Sequence, residues 1–166
     1  MALYVPPVNF GTIESGVYRS GQPRALNLPF LERLKLKTII NLQVGDFDAH
    51  LALFIKEQGI NVMQLGSERS RKPWNPLSEE DVIEALQTLL NPENHPILVF
   101  SQLGSHRTGA VVGCLRKAQR WNLTSILEEY RRYAGSKVRV LNEQFIELFD
   151  MDLINVPPPG KRPSWL

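Results

Sequence analysis

The residues with chemistry to offer lie between two apolar runs: Ser101, Gln102, Leu103, Gly104, Ser105, His106 and Arg107, followed by Thr108 and Gly109. Ile97-Leu98-Val99-Phe100 before them reads as a buried strand. Ala110-Val111-Val112-Gly113-Cys114-Leu115-Arg116 after them reads as a helix. A strand, a tight loop and a helix N-terminus make an anion cradle, because backbone amides converge there and the helix dipole adds partial positive charge. The planar fork of Arg107 can hold two phosphate oxygens at once. The spacing therefore predicts a phosphate site at 101–107, with Arg107 placed to grip the anion.

The elements that must position this loop follow from periodicity. Residues 1–16 read as irregular, punctuated by Pro6, Pro7, Gly11 and Gly16. Val17-Tyr18-Arg19-Ser20 reads as a short strand stopped by Gly21-Gln22-Pro23. Leu28 to Leu36 has helical spacing, with Asn27 as N-cap and Pro29 in the first turn. Strands are predicted over 37–42 and 60–65, and a helix over 46–58 ended by Gly59. Ser78 caps a further helix running to about Leu90, and two more are expected near 124–133 and 142–149. Alternating strands and helices imply an α/β fold with a parallel-rich central sheet and helices on its faces. The loop then lies at the carboxyl end of a strand, where such sheets bind ligands.

The 166 residues, 43% hydrophobic and 22% charged, fit one domain with a sizeable core. We expect an arm at 1–7, a domain at 8–152 and a Pro-rich tail at 153–166, extended or disordered. A net charge of +2 is too small to argue for nucleic acid, and no apolar run approaches the roughly 20 residues of a membrane helix. The N-terminus lacks a basic segment followed by an apolar one. The single cysteine, Cys114, cannot form an internal disulfide, so a cytoplasmic or nuclear location is the expectation. No Cys/His cluster suggests a metal, and no cofactor is expected.

The 101–109 stretch resembles the signature loop of cysteine-based phosphatases: His-Cys, five residues, then Arg-Ser/Thr-Gly. Gly104, Arg107, Thr108, Gly109 and the loop length are kept, whereas the histidine position is Phe100 and the cysteine position is Ser101. The similarity extends over about 8–152. Asn9-Phe10-Gly11, Gly16 to Pro23, Lys37 to Leu42, Asn94 to Val99, Val112 to Lys117 and Phe145 to Asp150 resemble the plant and fungal atypical dual-specificity phosphatases. That resemblance implies a protein tyrosine phosphatase-like fold of dual-specificity type, and inositol pyrophosphates or phosphoproteins as substrates.

In the family's reaction a thiolate attacks phosphorus, its pKa lowered several units from about 8.5 by the amides, the helix end and the arginine. A serine hydroxyl stays protonated and needs an adjacent base. Phe100 supplies none, and His106 is a conceivable one. We therefore expect a pseudophosphatase that binds a phosphorylated small molecule or phosphoprotein, or an active relative. A pure interaction subunit with a vestigial loop, using Trp74 and Trp165 as contacts, and an active phosphatase using Ser101 are the alternatives. Arg69, Arg71 and Lys72 are a possible basic rim. For a general acid, Glu68, Asp46, Asp48 and the trio Glu79, Glu80 and Asp81 stay open, the trio also fitting a helix first turn. Cys114 reads as a core residue.

Overall fold

The computed structural model describes residues 3–66 and 77–166. The strands are β1 (Gly11–Glu14), β2 (Val17–Ser20), β3 (Thr38–Asn41), β4 (Asn61–Gln64) and β5 (Ile97–Phe100). The helices are α1 (Leu28–Leu34), α2 (Ala49–Gln58), α3 (Glu79–Leu89), α4 (His106–Ala118), α5 (Leu123–Ala134) and α6 (Val140–Leu148). The sheet order is β1-β2-β5-β3-β4. β1 is antiparallel to β2, and the other pairings are parallel. The α/β architecture expected from periodicity is therefore present.

Within 1–16, expected to be irregular, Gly11–Glu14 is a strand. Its ladder with β2 shifts register between Thr12 and Glu14, and so short a glycine-led run carries little periodic signal. Element ends also move inward. α2 starts at Ala49 because Asp48 serves as N-cap, accepting from the His50 amide at 3.0 Å. Ser78 caps α3 as expected, accepting from the Asp81 amide at 3.1 Å.

Side chains of a strand point alternately to its two faces, which divides the core. Ile97 and Val99 of β5 and Ile40 of β3 pack with α3 and α4 on one face. Leu98, Phe100 and Ile39 pack with α1 and α2 on the other. Both faces are covered, as parallel sheets require. Phe100 is fully buried, with the Phe47 ring centroid 6.2 Å away.

α4 is buried on every side from Arg107 to Arg116. A Cβ at Gly109 would stand 2.6 Å from the Tyr130 ring of α5, and one at Gly113 would stand 2.6 Å from Ile146 of α6. The small residues thus let α5 and α6 lie directly on α4. Arg116 clamps the far end of α4. It donates to both carboxylate oxygens of Glu129, to Glu14 and to the Ile13 carbonyl, and stacks on Trp121.

The Pro-rich tail is irregular but lies on the body. Trp165 stacks on His95, its carbonyl accepts from Gln119 Nε2 at 3.2 Å, and Trp165 and Leu166 pack against the core. The arm is also held: Asn27 Nδ2 donates to the carbonyls of Val5 and Pro6.

Candidate active site

Parallel strands end on one edge. Ser20 of β2 and Asn41 of β3 both pair with Phe100 of β5. The segments that follow these residues therefore converge: Gly21-Gln22, 42–46 and 101–105. They surround a cavity of about 380 Å³ lined by six of the seven predicted loop residues, Ser101, Gln102, Leu103, Ser105, His106 and Arg107. Gln22, Gln43, Val44, Asp46 and Arg139 complete its wall. Gly104 lies at the back of the loop with φ +69, where a Cβ would come within 2.5 Å of the Gly21 amide nitrogen. Only glycine fits both the left-handed backbone and the close approach.

Ser101 Oγ lies 2.8 Å from Thr108 Oγ1, so a hydroxyl pair ties the start of the loop to the first turn of α4. Arg107 Nη1 donates to the Leu42 carbonyl at 2.8 Å. Burial lowers the Arg107 pKa, and the charge of Asp81 opposes that shift. His106 Nδ1 lies 2.9 Å from Tyr130 Oη, which also accepts from the Arg139 amide at 3.2 Å. Burial, with smaller contributions from Arg139 and Lys137, pushes the His106 pKa down to about 4, so its imidazole is neutral at pH 7.

The carbonyls of the loop are held by neighbouring segments. The Gln22 amide donates to Gln102 O at 3.2 Å, and Arg19 Nη2 donates to Gly104 O at 3.1 Å. Asn9 Nδ2 reaches Leu103 O and Gly104 O, both at 3.3 Å.

Among the acids left open, Asp46 is on the cavity wall and Asp48 is occupied as a helix cap. Glu79, Glu80 and Asp81 occupy the first turn of α3. Arg69, Arg71, Lys72, Glu68 and Trp74 lie outside the described residues. Cys114 is buried in α4, and desolvation pushes its thiol up to about 12, which leaves it inert. Sequence reading missed Gln22, Gln43, Val44 and Arg139 as wall residues, and gave no role to Asn9, Arg19 or Tyr130. The signal for Gln22 was available, since it follows a strand parallel to β5 and so must emerge at the same edge.

The fold and this loop define a phosphatase-like α/β protein. A family model described as the tyrosine phosphatase family matches residues 4–166, and the chain belongs to that family. It is 56% identical over 166 residues to Probable tyrosine-protein phosphatase DG1060 of Dictyostelium discoideum, covering 100% of this chain and 98% of that protein. It is 44% identical over 156 residues to Inositol diphosphatase DSP4 of Arabidopsis thaliana, covering 94% of this chain and 79% of that protein. Among solved structures, the core catalytic domain of the PP-IP phosphatase SIW14 from S. cerevisiae, in complex with citrate, superposes with a TM-score of 0.83. That match has 42% identity and covers 90% of each chain.

Proposed function

We propose that the chain binds phosphorylated small molecules of the inositol pyrophosphate kind in the 101–107 loop, and hydrolyses them weakly or not at all. The observation that carries this reading is Ser101. Among the described residues, the hydrogen-bond partner of its Oγ is Thr108 Oγ1, a hydroxyl and not a base. A neutral hydroxyl in place of a thiolate removes repulsion toward an anionic ligand, on the order of 1 kcal/mol or more at short range. Relatives named as an inositol diphosphatase and a PP-IP phosphatase support the ligand class. Association with an active relative and a cytoplasmic or nuclear location belong to the same proposal.

The test is turnover of p-nitrophenyl phosphate and of an inositol pyrophosphate, with binding followed by calorimetry. The expected result is binding with negligible turnover by the wild type, and turnover gained in Ser101→Cys. Wild-type turnover that disappears in Arg107→Ala overturns the reading.

One observation favours a second reading, an active phosphatase using Ser101. His106 shares the cavity and is unprotonated at pH 7, so it has room for a proton, although a pKa of about 4 makes it a weak base. That reading requires a phosphoester on Ser101, seen by mass spectrometry after rapid acid quench.

A further inference from the structure

Three successive loop carbonyls, those of Gln102, Leu103 and Gly104, are bound by donors from outside the loop: the Gln22 amide, Asn9 Nδ2 ahead of β1, and Arg19 Nη2 of β2. A trans peptide is planar, so its C=O and N–H point in opposite directions. Fixing these carbonyls aims the amides of Leu103, Gly104 and Ser105 the other way. The carbonyl side faces those donors, Arg19, the Gln22 amide and Asn9. The opposite side is the cavity lined by Ser101, Leu103 and Ser105.

We infer that Asn9 and Arg19 are positioning residues of the phosphate loop: they hold the 103–104 and 104–105 peptides with their N–H groups toward the cavity. This rests on the reading of 101–107 as a phosphate site. Arg19 is buried to 1% exposure and lies over the Tyr133 ring at 3.6 Å. Among the described residues its Nε and Nη1 have no hydrogen-bond partner, and its Nη2 donates to Gly104 O. Desolvation lowers its pKa to about 10. An apolar residue of similar volume would serve stability as well or better, since burying a charge with few partners is costly. Asn9 sits at φ 56, a conformation asparagine tolerates better than most residues. Its amide group spans Leu103 O, Gly104 O and, at 3.0 Å, the Tyr133 carbonyl of α5. Without these donors the Gly104–Ser105 peptide, hinged at a left-handed glycine, is free to rotate. A carbonyl would then face the anion in place of an amide.

The experiment compares the full chain with Arg19→Met, Arg19→Lys and Asn9→Gly. Inorganic phosphate and inositol hexakisphosphate are titrated while the amide resonances of residues 102–107 are followed by NMR. Thermal melts and a crystal structure of each variant accompany the titrations. Arg19→Met is expected to melt at or above the wild-type temperature, yet to bind at least about tenfold more weakly, with the Gly104 and Ser105 shifts lost. Arg19→Lys, which restores a donor, is expected to recover most of the affinity. Asn9→Gly is expected to weaken binding as well, and it decides the matter if Arg19→Met does not fold. Variants that bind within about twofold of wild type, with unchanged shifts, overturn the role of Asn9 and Arg19 while leaving the phosphate site standing. If the wild type itself shows no shift at 102–107, the phosphate reading fails. The variant structures then decide the positioning claim: a rotated Gly104–Ser105 peptide upholds it, and a Gly104 carbonyl still facing β2 overturns it.

Discussion

Ser101 and Thr108 share one short hydroxyl contact at the mouth of α4. A thiol placed there by Ser101→Cys would feel the helix N-terminus and Arg107, so its pKa should fall well below about 8.5. The rate of iodoacetamide labelling against pH reports this, and Cys114, held near 12 by burial, should stay unlabelled in the same sample. His106 gives a prediction of definite sign. Its folded pKa of about 4 lies below the ordinary 6.5. Between these values the unfolded chain binds more protons, so the neutral-imidazole contribution is complete above the upper value and is lost as pH falls toward the lower one. Urea midpoints measured at about pH 7.5 and 5 should fall with acid in the wild type and fall less in His106→Gln. Ser101 and Arg107 were legible in the sequence because their motif is contiguous. Asn9 and Arg19 were not, because only the sheet order carries them to the loop.

At the scale of elements, the glycine stripe on α4 sets how closely α5 approaches. Gly109→Ala gains helix propensity of up to about 1 kcal/mol, but its methyl would meet the Tyr130 ring. Overpacking of about 1–3 kcal/mol should win, giving a lower melting temperature and, since Tyr130 braces His106, a shifted His106 resonance. The long elements were readable from period and caps: Ser78 opens α3 and Gly59 ends α2 as expected, whereas the start of α2 at the Asp48 cap was not foreseen. β1 was not, because its pairing with β2 comes from tertiary contact and is not written in four residues.

Across the whole molecule, Arg116 links β1, α4 and α5. With its side chain 5% exposed and Glu129 11%, removing one partner strands the other. Arg116→Leu should cost about 3 kcal/mol or more in urea unfolding. The tail contributes separately: Trp165→Ala removes the stack on His95 and part of the core cover, with an expected loss of about 1–2 kcal/mol in the same measurement. Composition read the tail as unable to be helical, which it is. It did not reveal that Trp165 and Leu166 pack against the core, since two residues in a proline-rich run have no periodicity to display.

Phe100 and Ser101 are neighbours, yet successive positions of a strand face different surroundings. Phe100 fills a dry layer beside Phe47 and Leu98, whereas Ser101 turns into the cavity. Placing a His-Cys pair at these two positions is therefore two unequal steps. A sulfur at 101 is nearly isosteric with what is there, but an imidazole at 100 would leave a void and bring two nitrogens into an oily layer. The exchange at 101 stands alone, while the exchange at 100 requires repacking against α1 and α2, an asymmetry set by strand alternation.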